Sequence, residues 1–579
     1  MTRNASAPSW VKTALGILLA IGAVPAWLYL SGNIFQLLAF RGHGDAAALL
    51  TWPDYARHYG DFAGVKKMLA ISGGVAVCIL LAPLAFLFIK PRQKLHGDAR
   101  FAKTADVRRA GLLTNDGDGI ILGRYAGKFL TAGLKDYPHV MLAAPTGSGK
   151  GVGVVIPNLL NWNHSVIVLD IKQENWTLTA GFREAHGHEV YLFDPASSTR
   201  RTHRWNPLAY VRDEPGLRVD DIQKIGNIIF PDVDGTDPIW TASCRSFFLG
   251  LVLYVFETKG LPRTLGQVAR EAYADTEDHF GTIINDRYLA GTRLSEACES
   301  ALLDYVNTSE NTRTSIRKTF TSRFELFMNP ILDAATAGND FDLNALRKRR
   351  ISIYIGITPD NLSRMAPLLN LFFQQVVDLN TRELPEHNKA LKYQCLMLLD
   401  EFKSLGKLPL IVDAIAFLRG YGVRLLPIFQ SPSQIREVYG EEAAKTFFQN
   451  HAVRISYTPA DIATATEISN ELGNTTVSTS SKSRPDMFSQ GSRSVSDSEQ
   501  SRALQLPQEV MAMGPDDIFV FARGARPIQG RKIRWYLDPL FRSRVLPPPL
   551  IEPAPWAELP AYAPPVASAS SKSTSESKE

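Results

Sequence analysis

The sequence predicts an α/β fold: a mostly parallel β-sheet covered by helices, interrupted by an all-α insertion and preceded by a two-helix transmembrane hairpin. Three observations carry this expectation. Beyond residue 90, short continuous apolar runs alternate with helical stretches. The block 212–348 contains no strand-like run. Two uncharged runs of membrane length stand ahead of residue 90. At 579 residues the chain is too long for one ordinary core.

The first uncharged run extends from Thr13 to Phe40 and the second from residue 68 to 89, between Lys67 and Lys90. About 20 apolar residues cross the hydrocarbon core as a helix, so both runs qualify, with spans expected at about 13–33 and 68–89. The first run exceeds the typical apolar region of a cleaved signal peptide. Ser72-Gly73-Gly74, inside the second, reads as a small-residue helix contact. Lys90, Arg92, Lys94, Arg100, Lys103, Arg108 and Arg109 crowd the chain after the second run. The connection 41–67 has only Arg41, Arg57, Lys66 and Lys67. The positive-inside rule therefore places the N-terminus and the large domain in the cytoplasm, with 41–67 as the outer, periplasmic loop.

Strand candidates follow at 139–144, 166–170, 189–194, 351–358, 395–400, 423–429, 453–457 and 518–521. Most are continuous apolar runs, the signature of strands buried on both faces. Within 212–348, Phe247, Phe248, Leu251, Leu253, Tyr254 and Val255 read as a buried helix, and Ile316, Phe320, Phe324 and Phe327 recur at three- and four-residue spacing. The basic run Arg347-Lys348-Arg349-Arg350 closes this block and reads as a solvated face or a nucleic-acid contact. Residues 474–502, rich in Ser and Thr, read as a mobile loop. The Pro/Ala/Ser-rich end from 546 to 579 reads as a disordered tail. The four cysteines form no metal-ligand spacing, and the net charge of +5 is a weak pointer to nucleic acid.

Chemistry concentrates in two places. Ala144-Pro145-Thr146-Gly147-Ser148-Gly149-Lys150-Gly151 follows a strand and precedes an apolar, helix-length stretch. Glycines let backbone N–H groups converge on phosphate oxygens, and the lysine meets the β- and γ-phosphates. The loop departs twice from G-x-x-x-x-G-K-[ST]: Ala144 replaces a glycine, and Gly151 replaces the hydroxyl residue that touches Mg²⁺. Pro157 predicts a kink or early end in the following helix. The acidic partner is either Asp170 or Asp400, each ending an apolar strand. Asp400-Glu401 suits hydrolysis better, one carboxylate for the metal and one for water. Gln430, at a strand tip, suits the orientation of attacking water. Arg419, in Arg419-Gly420-Tyr421-Gly422, reads either as an arginine finger for a neighbouring subunit or as a surface arginine.

Taken together these motifs resemble the TraG/TraD-like coupling proteins of type IV secretion and conjugation. The loop 144–153, Asp170-Ile171-Lys172-Gln173-Glu174, Trp205-Asn206-Pro207-Leu208, Leu399-Asp400-Glu401-Phe402, Arg419-Gly420-Tyr421-Gly422, Gln430-Ser431 and Arg523-Gly524-Ala525-Arg526-Pro527 carry the resemblance. Trp205 stands where that family has Phe, Gln173 where glycine is common, and glycine after the lysine is familiar there. The resemblance implies a RecA-like P-loop ATPase of the HerA/FtsK group, in residues 91–211 and 349–545, with the all-α domain 212–348 inserted. It implies a homo-hexamer on the bacterial inner membrane, anchored by residues 1–90. It further implies that ATP hydrolysis couples a relaxase–DNA relaxosome to the inner-membrane subunits of a secretion channel, with single-stranded or double-stranded DNA as cargo. By the same resemblance, Thr146, Gly147, Ser148, Gly149, Lys150 and Gly151 bind ATP, Asp400 holds Mg²⁺, Glu401 activates water, Gln430 senses the γ-phosphate and Arg419 serves the adjacent subunit. Block 212–348 would dock the relaxosome. Two other functions compete: a membrane docking receptor with little turnover, favoured by the missing hydroxyl at Gly151, and an FtsK-like double-stranded DNA translocase. The latter calls for more membrane spans and a C-terminal DNA-reading domain.

Overall fold

The computed structural model describes residues 9–40, 46–88, 95–113, 118–232, 235, 237–275, 279–483 and 494–558. The chain divides into a unit up to Leu95 and a unit from His96 onward.

In the first unit, α1 (Ser9–Ala39) and α3 (Ala63–Phe88) flank the short α2 (Thr51–Tyr59). At 1.5 Å per residue, the 31 residues of α1 run for about 45 Å without a break. α3 is long and apolar enough to cross a membrane. Trp27 Nε1 donates to the Gly73 carbonyl at 3.1 Å, and Trp52 Nε1 donates to Ser72 Oγ at 3.1 Å. A Cβ at Gly73 would stand 3.4 Å from the Trp27 ring, so the small-residue contact is real. The connection 41–67 is shorter than expected. α3 starts at Ala63, and Trp52, Tyr55 and Tyr59 line up on α2 at three- and four-residue spacing, with Tyr55 against Phe35. Nine residues are too few to stand out by periodicity.

The second unit is built on an eleven-stranded sheet. Its strands are β1 (Gly119–Tyr125), β2 (Lys128–Gly133), β3 (Val140–Ala143), β4 (Ser165–Leu169), β5 (Glu189–Phe193), β6 (Ile351–Ile355), β7 (Cys395–Leu399), β8 (Val423–Phe429), β9 (Val453–Ser456), β12 (Asp517–Ala522) and β13 (Ile528–Arg531), set apart from the hairpin of β10 (Asn474–Ser483) and β11 (Ser494–Ala503). The order is β2-β1-β13-β12-β9-β3-β8-β7-β4-β6-β5. From β9 to β5 every pairing is parallel, while β12, β13, β1 and β2 extend the sheet antiparallel. The expected parallel sheet is therefore the larger part of a mixed one.

Among the described residues, every element between Pro207 and Ala345 is helical. These helices share one hydrophobic cluster with a face of the sheet. The helix Pro238–Glu257 is also apolar and membrane-length, but Phe247, Phe248, Leu251 and Val255 are wholly buried in that cluster. Trp205 is a hub there, fully buried and edge-on to Phe193 and Phe372 at 5.8 and 5.0 Å. Its indole N–H has no hydrogen-bond partner among the described residues. Trp205→Ala is expected to cost about 3–5 kcal/mol in denaturant unfolding. Trp205→Phe is expected to cost under about 1.5 kcal/mol, because losing the orphaned N–H offsets part of the lost contact.

Three expectations on the periphery are corrected. Residues 474–483 and 494–503 are not a loop but a regular antiparallel hairpin, in register from Asn474↔Ala503 to Ser483↔Ser494. The tail is ordered as far as residue 558. The Pro547 carbonyl packs on Gly181, Ala554 N–H donates to the Arg200 carbonyl at 2.8 Å, and the Arg200 guanidinium lies over the Trp556 ring. Residues 484–493 and 559–579, the remainder of those two expectations, lie outside the described residues. Arg347 is buried and donates to the carbonyls of Glu383 and Tyr421, so it braces the core and faces neither solvent nor nucleic acid.

Candidate nucleotide-binding site

β3, buried along its whole length, delivers the chain into the glycine loop. Gly147 and Gly149 have φ of +75° and +82°, the left-handed region that side chains disfavour. A Cβ on Gly147, Gly149 or Gly151 would meet nothing within 4 Å, so the loop has an open mouth. Thr146 and Gly147 are exposed there, and Ser148 Oγ turns back to the Pro145 carbonyl at 2.5 Å. The helix after the loop starts as a wide turn, Gly151–Val155, in which Ile156 N–H donates to the Gly151 carbonyl five residues back. Pro157 explains this, because it has no N–H for the carbonyl of Gly153 and the helix re-registers just before it. The α-helical remainder, Ile156–Leu159, is short. Asn158 fixes it to β1, exchanging bonds of 2.8 Å with both backbone groups of Ile121.

The acids arrive from β7. In an extended strand, consecutive side chains point to opposite faces. Glu401 leaves that pattern with φ +62°, a left-handed conformation that costs roughly 1–3 kcal/mol for a residue with a Cβ. Both carboxylates consequently reach one ammonium. Lys150 Nζ is 3.0 Å from Asp400 Oδ1 and is hydrogen-bonded to Glu401 Oε1. Burial works against the Lys150 charge, but the two carboxylates outweigh it and hold its pKa above the ordinary value. Burial pushes the Asp400 carboxyl up, with Lys150 opposing.

Asp170 plays another part. Its carboxylate accepts from Trp176 N–H at 2.7 Å and Asn175 Nδ2 at 3.2 Å, capping the helix Glu174–Ala185. Burial raises its pKa to about 6. β8 lies between β3 and β7, with Ala143 opposite Phe429 and Leu399 opposite Pro427. Ala144 N–H donates to the Phe429 carbonyl at 2.9 Å, which puts Gln430 beside the start of the loop. Lys150, Asp400, Glu401 and Gln430 thus share one edge of the sheet. Arg419 does not join them. It precedes β8, about 20 Å from Gln430 along a seven-residue strand, and donates to the Lys135 carbonyl at 2.5 Å. Two neighbours of the loop went unnoticed in the sequence. Lys532 Nζ donates to the Ser148 carbonyl at 3.0 Å and lies 4.0 Å over the Tyr457 ring.

Residues 93–555 match the family described as Type IV secretory system Conjugative DNA transfer. The chain belongs to that family. It is 32% identical to Protein VirD4 of Agrobacterium fabrum (strain C58 / ATCC 33970) over 568 residues, covering 94% of this chain and 80% of that protein. It is 30% identical to the conjugal transfer protein TraG of Escherichia coli, covering 79% of each. Among solved structures, the bacterial conjugative coupling protein TrwB shares the fold at a TM-score of 0.55 and 16% identity, over 78% of this chain and 97% of that one. The plasmid coupling protein TrwB has also been solved in complex with ADP and Mg²⁺, with a TM-score of 0.55 at 15% identity, over 77% of this chain and 96% of that one. This member of the conjugative DNA transfer family therefore carries an α/β core with a large mixed sheet, and its glycine loop and acidic pair face each other on it.

Proposed function

We propose that this protein is a membrane-anchored ATPase that couples DNA-bearing substrates to a type IV secretion channel. The observation that carries the proposal is the meeting of Lys150 with Asp400 and Glu401 beside an open glycine loop. The residues fit Mg²⁺ and ATP. The loop mouth is free of side chains, Gly147 and Gly149 N–H groups donate to no backbone carbonyl among the described residues, and a half-buried carboxylate stands opposite the lysine. Thr146 to Gly151 would cradle the phosphates and Lys150 would turn from the acids to the β- and γ-oxygens. Asp400 would hold Mg²⁺, which supplies Lewis-acid stabilisation of developing charge. Glu401 accepts the proton of the attacking water, and Gln430 orients that water. Gly151 offers no hydroxyl, so water or another group would fill that metal position.

The protein works as a homo-hexamer in the bacterial inner membrane, with α1 and α3 spanning the bilayer and both termini cytoplasmic. Segment 212–348 forms the docking face for a relaxase and its relaxosome, and DNA, single- or double-stranded, is the cargo passed to the channel's inner-membrane subunits. Membership of the conjugative DNA transfer family supports this reading.

The test is Mg²⁺-dependent ATP hydrolysis by the full chain in lipid nanodiscs, with and without single-stranded DNA. Turnover should rise several-fold with DNA. Absence of hydrolysis in every oligomeric state, alongside retained substrate binding, would identify a docking receptor instead.

A further inference from the structure

We propose that Lys532 is a positioning residue for the phosphate loop: its ammonium holds the Ser148 carbonyl so that the Gly149 amide is presented to the nucleotide phosphates. This rests on the ATP-binding function proposed above. The peptide unit is planar and trans, so the Ser148 C=O and the Gly149 N–H point in opposite directions. With the carbonyl pinned at 3.0 Å by Lys532, the amide turns away from Lys532. Gly149, at φ +82°, has no side chain to fix this peptide by packing. Left unpinned, the Ser148–Gly149 unit is free to flip and offer its carbonyl to an anion, which repels it.

Lys532 is itself held from several sides. Its own N–H donates to the Asp516 carbonyl at 2.7 Å, and Arg534 pairs with Asp516 at 2.7 Å. The next residue, Ile533, is buried with Ile156, which opens the short helix after the loop, and with Leu160, which follows its end. The ammonium lies 4.0 Å over the ring of Tyr457, whose own N–H donates to the β3 carbonyl of Ala143 at 3.0 Å. A Cβ on Gly153 would come within 2.4 Å of the Tyr457 hydroxyl, so the same tyrosine backs the helix of the loop. Strand β3, the loop, its helix and the end of β13 therefore close one packed ring, in which Lys532 supplies the polar contact to the loop. Burial lowers the Lys532 pKa, with Asp516 opposing, and an amine in either protonation state keeps hydrogens to donate.

The experiment compares the unaltered full chain with Lys532→Met and Lys532→Arg in nanodiscs. Equilibrium binding of Mg·ADP and of a non-hydrolysable ATP analogue, KM and kcat for ATP, and nucleotide-free thermal unfolding are measured. Lys532→Met keeps the stem on Tyr457 and removes the donor. It should weaken nucleotide binding and raise KM by about tenfold, the worth of one charge-assisted hydrogen bond, with kcat within about threefold. Lys532→Arg should recover most of that loss, and all three proteins should unfold at similar temperatures without nucleotide. Unchanged affinity in Lys532→Met overturns the inference alone. So does an Arg variant as impaired as Met, with both unfolding early, because the role is then only structural. Failure of the unaltered chain to bind nucleotide overturns the ATPase function and this inference with it.

Discussion

Glu401→Gln should lower ATP turnover by about 10²–10⁴-fold while leaving nucleotide affinity equal or tighter. The amide keeps the size of the side chain but cannot take a proton from water. It also removes one of the two negative charges that hold Lys150, which lies 3.0 Å from Asp400 and bonds directly to Glu401. An ammonium released from one carboxylate is freer to meet phosphate. Lys150→Ala should behave oppositely, losing both binding and turnover, because the β- and γ-phosphates lose their only charge partner on the loop. Single-turnover kinetics and equilibrium binding on both variants separate these outcomes. Turnover by Glu401→Gln within about threefold of the unaltered protein would remove Glu401 from the chemistry. The left-handed backbone at Glu401 sharpens the comparison. It is retained in the Gln variant, so the carboxylate itself is what changes.

The parallel heart of the fold was readable because burial on both faces leaves an unmixed apolar signal, as in Leu396-Met397-Leu398-Leu399. The antiparallel extension was not. β2 is an edge strand whose residues alternate between half-buried and buried after an exposed Lys128, and β1 contains Gly119 and Gly123, so neither gives a continuous run. The hairpin β10–β11 is written in Ser and Thr, which suit a strand as well as a loop, and only its pairing distinguishes the two. The order of residues 546–558 depends on Arg200 and Gly181, hundreds of positions earlier, and composition cannot report that. The loop and the Asp-Glu pair were legible because each is a local motif, and the order of β3, β8 and β7 then brings them to one edge. Lys532 was invisible for the converse reason: a lysine just past a short strand, between Arg531 and Arg534, carries no local signal, and its partner is 384 residues away.

Arg419→Ala should reduce turnover by about 10³-fold or more while sparing nucleotide binding, and the loss should be recoverable by a neighbouring subunit. Within one chain, Arg419 stands at the end of β8 opposite to Gln430, about 20 Å away, too far to touch its own nucleotide. A head-to-tail ring sets one surface of each subunit against a different surface of the next, so a residue remote from its own site can complete its neighbour's. The side chain is exposed, yet held by the Lys135 carbonyl at 2.5 Å at the turn leading to β3, which limits the entropy lost on docking. Mixing Arg419→Ala with Lys150→Ala subunits tests this directly. A site works when its own chain keeps Lys150 and the adjacent chain keeps Arg419, which holds for about a quarter of sites in a random equal mixture. Activity near a quarter of the unaltered level, from two separately inactive proteins, establishes shared sites. With mixed assembly verified by mass, a mixture as inactive as its components rules out a shared site, whereas Arg419→Ala subunits that keep full turnover by themselves make Arg419 a surface residue.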